Sequence, residues 1–348
     1  MNAAAPQASA APVSDAEADV LFSALAKEDR LLVAVSGGPD SVALLGLLSE
    51  WARRGGYLPP HAATVDHGLR PEAAEEAAAV AAFCRTLGVA HAILRWQGDK
   101  PQTSIQASAR RARYALLQDE AERLGGAGVV TAHTRDDQAE TVLMRMAHGS
   151  GPSGLGGMKP IALRDGLRLH RPLLSIAKAR LVATARARSW PFATDPSNRD
   201  ARFERVRWRA LMPRLAEEGL TSDRLGALAA RLARMNEALE LRAQTLLPVL
   251  VSPKGGALEV DVRTLADEPH EIVLRVLAAA IAQLAEDRAE LRRLARLEAC
   301  VSALIEAVRD RRREARTLAG CRLVLAAGGC LTITREGQRR RGVHPAAP

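Results

Sequence analysis

Four short apolar runs in the first half of the chain, separated by stretches with apolar residues at helical spacing, constrain the fold most strongly. Leu31–Val35, Ala62–Asp66, Ala90–Trp96 and Val129–His133 read as buried strands, with helices at Ser41–Arg53, Glu72–Leu87 and Ser104–Leu124 between them. Strand and helix repeating about every thirty residues is the pattern of a parallel sheet covered on both faces. The expected class is α/β, a doubly wound parallel sheet. Such sheets bind ligands beyond the carboxyl ends of their strands, so the segments leaving those ends carry the functional argument.

The alternation stops at Gly149–Gly157, which holds five glycines in nine residues and reads as a flexible loop. Residues 175–190 and 203–215 look helical, and Leu220–Leu250 and Glu271–Val308 are amphipathic at helical period. Arg322–Ala326, the turn Ala327-Gly328-Gly329 and Leu331–Arg335 read as a short C-terminal β-hairpin. At 348 residues the chain is long enough for two or three domains. The expected division is a disordered Ala/Pro-rich tail over 1–20, a ligand-binding domain over 21–215, and a mostly helical domain with the hairpin over 216–348.

No stretch approaches eighteen uninterrupted apolar residues, and the first residues lack a basic start, so neither a membrane span nor a signal peptide is expected. Cys84, Cys300, Cys321 and Cys330 are scattered without a CxxC pair, which argues against a zinc ribbon, an iron–sulfur site or a disulfide framework and fits the cytoplasm. The net charge of +9 favours a polyanionic partner without proving one.

The first strand runs into Ser36-Gly37-Gly38-Pro39-Asp40-Ser41. Glycines allow close backbone approach to a ligand, and the helix start that follows offers N–H groups and a positive dipole end to an anion. Ser36 and Ser41 add hydroxyls, and Asp40 could hold Mg²⁺ against phosphate oxygens. A plain glycine turn with Asp40 or Ser41 as a cap is the bland alternative. No Gly-Lys-Ser/Thr follows, so this is not a Walker A loop. The segment resembles the PP-loop of ATP pyrophosphatases, which cleave ATP between the α and β phosphates.

Four further segments narrow the resemblance. In Val65-Asp66-His67-Gly68-Leu69-Arg70, His67 and Arg70 either touch an anion or decorate a loop. In Ala109-Arg110-Arg111-Ala112-Arg113-Tyr114, Arg110 and Arg113 share a helix face, which by itself is commonly a solvated basic face. In Thr131–Thr141, His133 leaves the fourth strand, while Asp136, Asp137 and Glu140 lie on the first turn of the next helix. Asp137 and Glu140 then face one way, and the three acids make a candidate cation site, although acids at a helix start also serve the dipole. In Asp195–Arg209, arginines including Arg205, Arg207 and Arg209 interleave with Phe203 and Trp208, a combination suited to phosphate contact and base stacking.

Together these segments resemble the tRNA(Ile)-lysidine synthase family over roughly residues 30–215. Val206 departs from it, standing where the family has asparagine. The resemblance implies a PP-loop, adenine nucleotide alpha hydrolase-like fold and a ligase that uses ATP and Mg²⁺. It implies that L-lysine is joined to the wobble cytidine of isoleucine tRNA with a CAU anticodon, through an adenylated RNA. Ser36–Ser41 would bind ATP; Asp40, His133, Asp137 and Glu140 would be catalytic, with Asp137 and Glu140 binding and activating lysine. His67, Arg70, Arg110, Arg113, Asp136, Arg205 and Arg209 would contact tRNA or nucleotide. The helical domain would grip the tRNA body, and a homodimer is possible. The rivals are a PP-loop tRNA thiolase, which would need catalytic cysteines near these motifs, and a nucleotide-binding regulator without chemistry, which would not need the acids and the basic segment. An amidotransferase-type synthetase would need a glutaminase domain, and none is visible.

Overall fold

The computed structural model describes residues 10–68, 73–98, 100, 105–193, 200, 202–286 and 290–336. They form two compact units, one of residues 1–148 and 154–230 and the other of 149–153 and 231–348.

The first unit opens with α1 (Asp15–Phe22) and continues β1 (Leu31–Ala34), α2 (Pro39–Gly55), β2 (His61–Asp66), α3 (Ala73–Leu87), β3 (His91–Arg95), α4 (Ile105–Arg123), β4 (Gly128–Val130) and α5 (Arg135–Ala147). After the one-turn α6 (Pro152–Leu155) come β5 (Ile161–Arg164), β6 (Leu167–His170), α7 (Lys178–Ala187) and α8 (Glu204–Glu217). The sheet order is β3-β2-β1-β4-β6-β5, parallel except for the β5–β6 pair. β1 is apolar throughout because both its faces are buried. Leu31 and Val33 join the core with α2 residues Leu44, Leu45 and Leu48, whereas Leu32 faces Tyr114 and Leu117 of α4. Chain connections leave β1 and β4 in opposite directions along the sheet, so a crevice opens beyond their carboxyl ends, where such folds bind ligands.

Several expectations need correcting. Residues 14–20 do not belong to a disordered tail: Ser14 and Glu17 form a reciprocal capping box that starts α1, and Ala18 and Phe22 enter the core. The β5–β6 hairpin was not anticipated, although its turn, Asp165-Gly166, has φ of +51° and +88°, the two-residue geometry that Asp-Gly favours. The boundary expected at 215/216 falls fifteen residues later, at 230/231. The reason is α9 (Ser222–Leu250): its Leu225 and Ala229 complete a core with Ala139, Val142 and Leu143 of α5 and with Trp208, Met212 and Leu215 of α8.

The second unit is less helical than its periodicity suggests. Beyond α9 lie β7 (Val251–Lys254), β8 (Ala257–Asp261), α10 (Val262–Leu265), α11 (His270–Leu284), α12 (Leu294–Arg309), β9 (Glu314–Leu318), β10 (Cys321–Leu325) and β11 (Cys330–Arg335). The expected hairpin is β10–β11, embedded in a five-stranded antiparallel sheet ordered β7-β8-β11-β10-β9. Leu258, Val260, Leu323, Leu325, Leu331 and Ile333 pack from it against the apolar faces of α11 and α12.

Candidate active site

The glycine turn after β1 is held by its own serines. Ser41 Oγ donates to the Gly38 carbonyl at 2.9 Å and accepts the Ser36 N–H at 3.2 Å, with Ser36 Oγ 3.3 Å away. Gly37 sits at φ +82°, a backbone conformation that costs other L-residues strain. Gly38 is the N-cap of α2 and has no side-chain cap, and Pro39 follows in the first turn. The N–H groups of that turn therefore lack the usual side-chain acceptor. Asp40 is part of the same turn. Its Oδ2 meets Lys178 Nζ at 3.0 Å, while its Oδ1 is buried without a partner. Burial raises the Asp40 carboxyl, Lys178 opposes that, and Asp137 and Asp136 add to the rise.

His133 lies just past β4, its Nδ1 2.9 Å from Thr131 Oγ1. Burial lowers its pKa to about 4 against the pull of Asp137, with Arg171, Arg205 and Arg110 pushing the same way as burial. The imidazole is therefore neutral at pH 7. Thr134 and Asp137 form the capping box of α5: Asp137 Oδ2 accepts the Thr134 N–H at 2.9 Å and its hydroxyl at 2.8 Å. Burial alone would raise the Asp137 carboxyl, but these two bonds, with His133 and Arg205 adding, bring it below the usual range. Its Oδ1 is 3.8 Å from Arg205 Nη1.

Glu140, one turn further along α5, is 2% exposed. Arg209 grips it through Nε at 2.7 Å and Nη2 at 3.2 Å, and Arg205 Nε stands 3.5 Å away. Burial still raises its carboxyl. Glu140 therefore belongs to the second turn of α5, and it is already paired. Asp136 accepts the backbone N–H of Lys178 at 2.8 Å and stands 3.4 Å from Ser222 Oγ, so it caps α7 from another helix. The expected three-acid cation site is not assembled: Asp136 caps α7, Glu140 is paired with Arg209, and of the three only Asp137 keeps an oxygen without a hydrogen bond. Among the described residues no three His, Cys, Asp or Glu side chains group to hold a metal.

Arg110 and Arg113 flank the Tyr114 ring at 5.2 and 6.0 Å, joined by Arg164 at 4.1 Å. His67 is half-buried, edge-on to Trp96 at 6.0 Å, its Nδ1 without a partner, and burial lowers its pKa. Arg70 and Asp195–Arg199 lie outside the described residues. The glycine-rich segment is not slack over its second half: Arg145 Nη1 donates to the Gly154 and Gly157 carbonyls at 2.6 and 2.7 Å, and Gln138 exchanges two bonds with Met158.

Two residues at the site were not singled out in the sequence. Lys178, facing Asp40, occupies the first position of α7, where a cation opposes the helix dipole; that mismatch was the available signal. Arg145 gave none, because its partners are backbone carbonyls. Cys84 is buried in the core, with its thiol pushed up to about 11, which suits packing rather than sulfur chemistry.

A family model described as a PP-loop domain matches residues 11–215, more than half of the chain. A tRNA(Ile)-lysidine synthase of Methylobacterium nodulans is 50% identical over 315 residues, covering 90% of this chain and 92% of that one. Another, from Bradyrhizobium sp., is 47% identical over 349 residues, covering 95% and 97%. Among solved structures, the U34-tRNA thiolase NcsA from Methanococcus maripaludis with its 4Fe-4S cluster superposes with a TM-score of 0.53 at 16% identity. It covers 65% of this chain and 77% of its own, a likeness of fold alone.

Proposed function

Because the chain belongs to the tRNA(Ile)-lysidine synthase family, we propose that it ligates L-lysine to C2 of the wobble cytidine, position 34, of CAU-anticodon isoleucine tRNA. ATP is the co-substrate and adenylated tRNA the intermediate; the product, lysidine, shifts decoding from AUG to AUA. The observation that carries this reading is convergence at one sheet edge. Lys178 links Asp40 of the glycine turn, through its ammonium, to Asp136, through its backbone N–H; Asp137 follows Asp136, and Arg209 grips Glu140 one turn further along α5.

ATP phosphates are assigned to Ser36–Ser41, where glycine backbone and the open start of α2 suit an anion. Asp40 is the residue that would hold Mg²⁺. Its buried, unpartnered Oδ1 fits one carboxylate ligand of an ion completed by phosphate oxygens and water. Such an ion would offset charge on the phosphates. The cytidine C2 oxygen attacks the α-phosphorus, the bond to the β-phosphate breaks, and pyrophosphate leaves. An amide-like oxygen departs poorly; adenylation turns it into AMP. The lysine ε-amine then attacks C2 and AMP departs.

At pH 7 that amine lies about 3.4 units below its pKa, a handicap of roughly 4.6 kcal/mol. We assign the ammonium to Asp137, which is held ionised. Proton acceptance during attack goes to Asp137 together with neutral His133. Glu140 acts by fixing Arg205 and Arg209 next to them. His67, Arg110 and Arg113 are assigned to nucleotide or RNA, and residues beyond 230 to the tRNA body, with affinity that falls steeply with salt. The reaction belongs in the cytoplasm; among the described residues no helix is long and apolar enough to cross a membrane.

The test is transfer of radiolabelled lysine to unmodified isoleucine tRNA with a CAU anticodon, with methionine tRNA of the same anticodon as control. Labelling of the first alone is expected, and equal labelling of both refutes the substrate assignment. Asp137→Asn should retain ATP binding and lose lysine transfer; unchanged transfer overturns its role.

A further inference from the structure

Lys178 is the cation facing the phosphate turn from outside it. Its Nζ lies 3.0 Å from Asp40 Oδ2, and its side chain is 41% exposed, so it is reachable from solvent. Its backbone is fixed, since its N–H is tied to Asp136 at 2.8 Å at the first position of α7. Only the flexible stem is free to swing, over several ångströms, without disturbing the helix.

Two features argue against a plain counter-ion for Asp40. First, Lys178 engages one carboxylate oxygen and leaves the other, Oδ1, buried and unpaired. A buried acceptor left without a partner is destabilising, a cost that a dedicated structural pair would avoid. Second, a lysine at the first position of a helix opposes the dipole, and a local rule broken next to a ligand turn is the mark of a functional demand.

Resting on the assignment of ATP to this turn, we propose that Lys178 is the cation for the pyrophosphate half of ATP, and that its bond to Asp40 holds its place until the nucleotide arrives. ATP brings its β and γ phosphates to the turn, and Lys178 passes from Asp40 Oδ2 to those oxygens. Both Asp40 oxygens are then left for a divalent cation. When the α–β bond breaks, the electron pair leaves on pyrophosphate, and Lys178 meets the charge that develops there. The exchange conserves charge: one ammonium is traded between two anions.

The experiment separates the two roles by removing Asp40's need for a partner. Binding of α,β-methylene-ATP and of AMP is measured by calorimetry in metal-free buffer for Asp40→Asn and for Asp40→Asn/Lys178→Met. Neither variant leaves a buried carboxylate unpaired at this position, and melting curves verify the fold. The double variant should bind α,β-methylene-ATP weaker by about tenfold or more, and AMP unchanged within about twofold, because only the former carries the phosphates that Lys178 meets. Lys178→Arg in the same background should recover most of the loss. Equal affinities of single and double variants for α,β-methylene-ATP overturn the proposal, as does an equal loss for AMP. Wild-type protein that binds no α,β-methylene-ATP, with or without Mg²⁺, overturns the ATP assignment as well. Wild type that binds it but transfers no lysine overturns only the substrate reading and leaves Lys178 standing.

Discussion

Replacing Arg209 by methionine isolates the worth of the buried pair at the centre of the site. Glu140 is 2% exposed and bound bidentately by Arg209 at 2.7 and 3.2 Å. Removing one member of a buried pair costs about 3–5 kcal/mol, because the remaining charge is stranded. Two observations lower that figure here: Arg209 is itself 36% exposed, and Arg205 remains 3.5 Å from Glu140. About 2 kcal/mol is the expected loss, or about 4–8 °C in melting temperature for a unit of this size. The loss depends on pH with a definite sign. Burial already raises the Glu140 carboxyl, and without Arg209 it rises further. A carboxyl raised on folding favours the fold fully below its unfolded pKa, and that advantage is lost as pH rises through the folded value. The deficit should therefore be largest at pH 8 and shrink toward pH 5. Melting followed by circular dichroism at both values measures it, with Arg209→Met/Glu140→Gln as the neutral control. A deficit that does not vary with pH, or a double variant no more stable than the single one, refutes the stranded-charge argument.

Other expectations follow from single contacts. His133, lowered to about 4 from an ordinary 6.5, should show no ring-proton titration between pH 5.5 and 8 by NMR; its share of stability is present above 6.5 and lost as pH falls toward 4. A midpoint near 6.5 would show that the ring is solvated. Gly46→Ala would set a methyl 2.4 Å from the Trp190 ring, costing about 1–3 kcal/mol by overpacking; urea unfolding should show the loss and Trp190→Leu should recover part of it. Gly37→Ala, at φ +82°, should cost about 1–2 kcal/mol yet weaken binding of ATP analogues by more than that strain accounts for; an affinity equal to wild type would remove the turn from the site.

What was legible in the sequence was local. The Ser36–Ser41 turn, the neighbouring strands and the Asp137/Glu140 spacing each depend on a few consecutive residues, and hydrophobic period marks them. Two local signals were present but overlooked: the Ser14–Glu17 capping box, obscured by Ala/Pro-rich surroundings, and Asp165-Gly166 between alternating residues. The remainder depends on distant pairing. β8 joins β11 across three intervening helices, α10, α11 and α12, so no window of sequence shows a five-stranded sheet. Lys178 meets Asp40, and Arg209 meets Glu140, only once the sheet has brought their helices together. Spacing placed Asp136 beside Asp137 but could not show that one caps α7 while the other caps α5.

The first half of α9 has a practical consequence for anyone dividing this protein. A fragment ended at residue 215, where the helical periodicity invites a cut, would lose Leu225 and Ala229 and uncover Ala139, Val142 and Leu143. It would also lose Asp223, the ionic partner of Arg135, and Ser222, which reaches Asp136. Both anchors hold the first turn of the helix that presents Asp137. The truncated first half would then fail for want of a brace, and its inactivity could be mistaken for a need for the second unit. Ending the fragment past residue 230 keeps the brace and separates those two explanations.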